Sequence, residues 1–315
     1  MRVAFMGSPE FAVPCLRAVA KAHDVALVIS QPDKPAGRGG ELRAPAVKIA
    51  ATDLGLTVMQ PKSARTGELE QALKQSGAEL AIVVAYGKLL PKSVLEAVPR
   101  GCLNVHGSLL PLYRGAAPVQ WAVINGEQVS GVSIMQLDEG MDTGPVMLER
   151  RVALDPRETA GELLARLAPI GAEALLEAIA AIAAGTAKAV AQDHAQASHA
   201  PMLAKTDGAI DFSQDANLVA SRIRGVDPWP GAYAMLRGQP LKLFRAEVTD
   251  ATAGQGVGIV IQIDKRGIHV SGHGGILAIR EVQAAGRKRM LAHEFAAGRG
   301  IAIGDKLEMS EPPKP

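Results

Sequence analysis

Two polar residues stand one apart in the segment Gly101-Cys102-Leu103-Asn104-Val105-His106-Gly107-Ser108-Leu109-Leu110-Pro111. The apolar run that leads into them reads as a strand. On a strand, Asn104 and His106 alternate with Val105 and share one side. An amide and an imidazole side by side at a strand's carboxyl end suit acyl chemistry. Asn can donate to a developing oxyanion, and His can carry a proton. Taken alone, Asn-x-His is equally a polar strand end. A second cluster is Asp138-Glu139-Gly140-Met141-Asp142-Thr143-Gly144-Pro145. Its Gly, Asp and Pro content marks a tight turn. A turn accounts for one Asp and leaves room for a functional carboxylate that could pair with His106 and hold it charged.

Two further loops could meet a ligand. Gly7-Ser8-Pro9-Glu10-Phe11 follows the first apolar run and opens a helical pattern. It would place backbone N–H groups at the sheet's carboxyl edge, or it is a plain β–α turn. It lacks the G-x-G-x-x-G spacing of a dinucleotide site. The stretch Gln31–Arg43 is long for a connection within an α/β unit, where ~2–6 residues suffice. It carries Lys34, Arg38 and Arg43 on a Gly- and Pro-rich backbone. Such a loop suits an RNA backbone; it also reads as a solvated insertion.

The elements that must position these residues are legible as alternating patterns. Val3–Met6, Val25–Ser30, Leu80–Ala85 and Cys102–Val105 read as strands. Pro14–Lys21, Val47–Leu54, Leu69–Gln75 and Ser93–Val98 have helical spacing. That alternation predicts a parallel sheet with crossover helices. Val132–Leu137 and Pro145–Val152 add an antiparallel edge. A long helix follows, opened by the capping box Thr159-Ala160-Gly161-Glu162 and closed near Gly185. Pro169 is expected to kink or interrupt it. Beyond a segment without period, short strands at Leu241–Val248, Gly256–Ile263, Ile268–Ser271 and Ile276–Val282 suit a small barrel. The expected fold is therefore α/β: a Rossmann-like, mixed but mainly parallel sheet, followed by a small OB-like C-terminal β-barrel. The expected boundaries are a catalytic domain over 1–188, a linker over 189–205 and a barrel over 206–315.

Composition narrows the class. The chain has 315 residues, 48% of them hydrophobic and only 3% aromatic. It can bury a large aliphatic core but has few platforms for stacking bases. Net charge is +2. Residues 1–204 hold 19 basic and 20 acidic residues, and residues 205–315 hold 15 and 12. The C-terminal part is thus mildly basic, which permits a nucleic-acid partner. No apolar run reaches the ~18 residues of a membrane helix, and Met1–Gly7 is too short for a signal peptide. No membrane association and a cytoplasmic location are expected. The two cysteines, Cys15 and Cys102, could formally form one disulfide, but reduced core thiols are the expectation. No metal site is expected.

These segments together resemble the methionyl-tRNA formyltransferases from end to end. The matching stretches are Gln31–Gly39, Val83-Val84-Ala85-Tyr86-Gly87, Asn104–Pro111 with Arg114-Gly115-Ala116-Ala117-Pro118, Asp138–Gly144, Ala204–Phe212 and Asn217–Pro230. Asn-x-His-x-Ser-Leu-Leu-Pro with a downstream Asp is shared by folate-dependent formyltransferases, and speaks for formyl transfer. The 31–43 loop and the C-terminal part speak for a tRNA acceptor. The resemblance implies that Asn104, His106 and Asp142 are catalytic. It implies that 10-formyltetrahydrofolate, the formyl donor, lies against Ser108, Leu109, Leu110, Pro111, Ala85, Tyr86, Gly87 and Leu89, with the pterin ring against the backbone of Ala85–Leu89 and the 138–142 loop. Initiator methionyl-tRNA would meet Arg38, with Lys34 and Arg43, and the protein would act as a monomer. Lys205, Arg222, Arg224, Arg287, Lys288 and Arg289 are candidates for phosphate contact.

Two other classes stay open on the residues themselves. One is a formyltransferase or hydrolase acting on an amino sugar or on formylfolate, which would share the trio but not the basic loop. The other is a catalytically silent RNA-binding protein, against which the intact trio argues.

Overall fold

Leu80–Val84 is a run of five apolar residues with every side chain buried, the pattern of a strand covered on both faces. In the computed structural model it lies at the centre of a seven-stranded sheet. The structure describes residues 1–36, 41–250 and 256–309. They divide into two units by packing: 1–118, 130–152 and 164–201 form the first, and 119–129, 153–163 and 202–315 the second.

In chain order the elements up to residue 200 are β1 (Arg2–Gly7), α1 (Val13–Ala22), β2 (Asp24–Ile29), β3 (Lys34–Ala36), β4 (Glu41–Arg43), α2 (Ala46–Asp53), β5 (Val58–Met59), α3 (Glu68–Ser76), β6 (Leu80–Val84), α4 (Lys92–Leu95), β7 (Cys102–His106), β8 (Arg114–Gly115), α5 (Pro118–Ile124), β9 (Val129–Gln136), β10 (Val146–Ala153), α6 (Ala160–Ala183) and β11 (His199–Ala200). The sheet order is β5-β2-β1-β6-β7-β9-β10. The first five strands are parallel. β9 runs antiparallel to β7 and sets Ser133 opposite His106. The mixed, mainly parallel sheet read from the sequence is therefore present. Its order reverses between β1 and β6, and such switch points place ligands at the strands' carboxyl ends. Phe5, Met6, Leu80, Ile82, Leu103, Ile134 and Met135 are fully buried in it, each contributing on the order of 1.5–3 kcal/mol. Cys15 and Cys102 are free buried thiols, and burial pushes both up to about 12.

Of the two outcomes expected at Pro169, a kink or an interruption, the interruption does not occur: α6 continues through it to Ala183. Leu163, Leu167, Ala174, Leu175 and Ile179 are all buried, and the packing of that stripe outweighs one lost backbone bond. The described part of the 31–43 stretch holds two short strands. β3 and β4 pair antiparallel, with Lys34 opposite Arg43.

The capping box forms as read. Thr159 N–H donates to Glu162 Oε2 at 2.9 Å, and Glu162 N–H donates to Thr159 Oγ1 at 3.2 Å. Arg245 grips the same carboxylate with bonds of 2.9 and 2.6 Å. The Arg245 guanidinium holds the Glu162 carboxyl down at about 2. A depressed carboxyl contributes stability above its unfolded value of 4.5 and loses it as pH falls through the folded value. Because the side chain is partly exposed, Glu162→Gln should cost only about 1 kcal/mol at neutral pH. The gap between variant and wild type should close between pH 4.5 and about 2. Urea unfolding at stepped pH measures it, and a gap independent of pH would refute the assignment.

The second unit continues with α7 (Ala216–Gly225), β12 (Ala232–Leu236), β13 (Gln239–Asp250), β14 (Val260–Asp264), β15 (Gly267–Gly272), β16 (Gly275–Ala284), β17 (Met290–Leu291), α8 (Ala292–Ala297) and β18 (Leu307–Glu308). Strands β14-β15-β16-β13-β12-β18 form a curled antiparallel sheet, with β17 on β16. The curl brings its ends together: Val260 N–H donates to Asp305 O at 2.8 Å, and Leu307 N–H to Gly258 O at 2.7 Å. The sheet is thus a curled half-barrel whose two edges meet through these bonds and are partly covered by them.

Candidate active site

Two local devices place the three side chains of the trio. Asn104 and His106 stand on β7, both buried, while Gly171 of α6 packs against Val105 on the strand's other side. Asp142 comes from the loop between β9 and β10 and holds a left-handed backbone, φ +53°. Gly144 in that loop admits no side chain, since a Cβ there would lie 1.9 Å from Gln136 O.

The three converge. Asn104 Nδ2 is 3.5 Å from Asp142 Oδ1, and His106 Nδ1 is 3.7 Å from Asp142 Oδ2. His106 Nε2 lies 2.9 Å from Tyr113 O. A carbonyl only accepts, so this contact puts a proton on Nε2 and turns Nδ1 toward the carboxylate. Asp142 Oδ2 also accepts from Gly115 N–H at 2.8 Å. An amide donor, an imidazole and an oriented carboxylate thus share one buried edge. That set can stabilise an oxyanion and move a proton. Among the described residues, no group of three or more His, Cys, Asp and Glu is placed to hold a metal.

The remaining sequence candidates divide by environment. Ser108 is buried and donates to Leu112 O at 2.6 Å, and its carbonyl accepts from Ser133 Oγ. Leu110 and Tyr86 are buried, and Leu109 and Pro111 are half-buried. Ala85, Gly87 and Leu89 are exposed at the carboxyl end of β6. A cleft of about 880 Å³ opens beside Leu137–Gly140, walled by Leu95, Val98, Gly101 and Gln136. The trio does not line it; the two share only the chain that runs on from residue 140 to Asp142.

Lys34 and Arg43 are exposed, and Arg38 lies outside the described residues. The base of that hairpin is anchored. Gln60 Nε2 donates to Gln31 O and to Asp33 Oδ1, both at 2.7 Å, and Asp33 pairs with Lys48 at 2.7 Å. In the second unit Lys205, Arg287 and Lys288 are exposed. The others are engaged within it: Arg222 with Asp207 O, Arg224 with Ala246 O, and Arg289 with Glu281 and over the Phe244 ring.

Sequence reasoning missed the groups that hold the trio. Gln192 is buried. Its Nε2 donates to Asp142 O at 2.9 Å and to Gly144 O at 2.6 Å. Its Oε1 accepts two bonds from the buried guanidinium of Arg114. Ser198 Oγ accepts from Tyr113 N–H at 2.9 Å. By packing, residues 189–201 therefore complete the first unit, and β11 pairs with β8.

The chain matches the formyl transferase model over residues 1–179 and the formyl transferase C-terminal domain model over 202–300. It is 47% identical over 309 residues to a methionyl-tRNA formyltransferase of Desulfotalea psychrophila, covering 98% of this chain and 96% of that one. It is 44% identical over 308 residues to the enzyme of that name from Solibacter usitatus, covering 98% of each. Among solved structures, a sugar 3N-formyl transferase, WlaRD, superposes with a TM-score of 0.68 at 18% identity, over 91% of this chain and 99% of that one. HypX from Aquifex aeolicus gives a TM-score of 0.65 at 17% identity, over 96% of this chain and 48% of that one. The two structures share the fold; the close sequence relatives decide the family. The chain belongs to the methionyl-tRNA formyltransferases, within the formyl transferase family.

Proposed function

We propose that the chain transfers the formyl group of 10-formyltetrahydrofolate to the α-amine of methionyl-initiator-tRNA, for use in translation initiation. The observation that carries the chemistry is the convergence of Asn104, His106 and Asp142 at the end of β7. The relatives' names carry the acceptor. The cleft beside Leu137–Gly140 has the size of a small-molecule site, but its wall is as much polar as apolar and includes Lys92, Glu96, Arg100, Asp138 and Glu139. It opens at the amino end of β7, whereas Ala85, Gly87 and Leu89 stand with the trio at the carboxyl ends of β6 and β7, the side on which the donor is proposed to lie.

Asn104 Nδ2 donates to the formyl oxygen as negative charge grows there during attack by the neutral amine. With its Nε2–H held by Tyr113 O, His106 adds a second donor only in its doubly protonated form, through Nδ1–H, the form that the facing Asp142 carboxylate favours. Asp142 accepts the proton that the amine gives up and returns it to the leaving nitrogen. One bond from the amine to the formyl carbon forms, one bond from that carbon to the donor nitrogen breaks, and the proton follows the electron pair. Neither cysteine takes part.

The hairpin supports a polyanionic partner. Lys34 and Arg43 are cross-strand neighbours, and like charges directly opposite destabilise a strand pair until an anion bridges them. Arg38 extends the same basic loop. As a translation enzyme the protein would act in the cytoplasm, and a monomer suffices because the trio comes from one chain. The test is formylmethionine formation from 10-formyltetrahydrofolate and charged initiator tRNA. Product with an amino sugar or water instead would overturn the acceptor. In the same assay Arg38→Ala should weaken catalysis on methionyl-tRNA by about 1–3 kcal/mol with donor affinity unchanged. A parallel loss of donor affinity would remove the tRNA role from this loop.

A further inference from the structure

Arg114 and Gln192 have no place in the mechanism above, yet both are buried beside it. The Arg114 guanidinium donates to Gln192 Oε1 at 3.1 and 2.7 Å and contacts His194 Nδ1 at 3.1 Å. Accepting at Nδ1 leaves His194 with its proton on Nε2. A cation sunk among neutral groups is costly unless they hydrogen-bond it, as Gln192 and His194 do. With its oxygen held by Arg114, Gln192 aims its amide hydrogens at Asp142 O and Gly144 O. The next residue after Arg114 supplies the N–H that holds Asp142 Oδ2.

We infer that Arg114 and Gln192 are positioning residues that clamp the Asp142 loop in its reactive geometry. The clamp has two jaws. Gly115 N–H fixes the carboxylate, and the Gln192 amide fixes the backbone carbonyl of the same residue. The second jaw is needed because Asp142 holds a left-handed backbone, a conformation that a non-glycine residue keeps only when its surroundings enforce it. Without the clamp the loop relaxes, and the carboxylate leaves the edge it shares with Asn104 and His106. The inference rests on the proposed catalytic role of Asp142.

Gln192→Glu tests it. Glutamate keeps the acceptor that Arg114 grips, and strengthens it. It removes the donors to Asp142 O and Gly144 O. The full chain with 10-formyltetrahydrofolate and charged initiator tRNA should show kcat reduced about 10- to 100-fold, with KM for both substrates within about two-fold of wild type. The thermal midpoint should stay near the wild-type value. Gln192→Asn, too short to span both groups, should not rescue, and Gln192→His, which restores one donor, should recover part of the loss. Asp142→Asn is measured alongside. If Asp142→Asn is impaired and Gln192→Glu turns over like wild type, the clamp is wrong and the trio stands. If Asp142→Asn is itself fully active, both fall. A loss in Gln192→Glu that appears in KM, or tracks a fall in thermal midpoint, assigns these residues to the fold alone and overturns the inference. Should Gln192→Glu not fold, Arg114→Lys carries the same comparison. Lysine keeps the charge but not the planar fork that fixes Gln192.

Discussion

Asp142→Asn is expected to lower turnover by about a hundred- to ten-thousand-fold, and His106→Ala by a similar factor. Asparagine matches aspartate in shape, and its oxygen can still accept from Gly115 N–H. What it loses is the charge facing His106 Nδ1 at 3.7 Å and the capacity to take a proton. His106→Ala removes an imidazole whose Nδ1 is turned to the reacting edge by the bond from Nε2–H to Tyr113 O. Both roles belong to the transition state rather than to ground-state binding, so donor affinity should hold. Single-turnover formylation beside equilibrium folate binding separates the two. Wild-type turnover in either variant would remove the trio from the mechanism.

Gly115→Ala should be nearly as damaging from a position with no side chain. Gly115 sits at φ +119°, and a Cβ there would lie 2.7 Å from Ala200 O. That backbone region is essentially closed to alanine, and the obstructing atom belongs to a paired strand that cannot swing aside. The main chain must move, and the N–H on Asp142 moves with it. A stability loss of about 2–3 kcal/mol is expected, together with at least a ten-fold fall in turnover measured on folded protein. A variant with wild-type stability and rate would show that the β8–β11 contact is not rigid.

The sheet was legible because its central strands are apolar runs: Val3–Gly7, Leu80–Val84 and Cys102–His106 each bury five residues in a row. β5 was not, being two half-buried residues. α7 escaped although Asp215 caps it and Val219, Ala220 and Ile223 are buried at helical spacing. Two arginines and several small residues thin its stripe. At the site, Asn104 and His106 were readable because strand alternation is local. Which carboxylate of the 138–144 loop joins them was not, since any of them fits a turn. The Tyr113 carbonyl and Gly115 N–H are backbone groups with no residue signature. Gln192 lies 78 residues from its partner Arg114, in a stretch with no period to announce it.

That separation has a consequence for biosynthesis. The strand bearing Asn104 and His106 is finished at residue 106, but Gln192 and Ser198, which hold Asp142 and Tyr113, are made about 90 residues later. At roughly 5–20 residues per second, the ribosome takes on the order of 5–20 s to cover that distance. Through that interval the nascent chain can assemble its sheet while its chemical centre stays unlocked, and no polypeptide released before residue 198 carries a finished one.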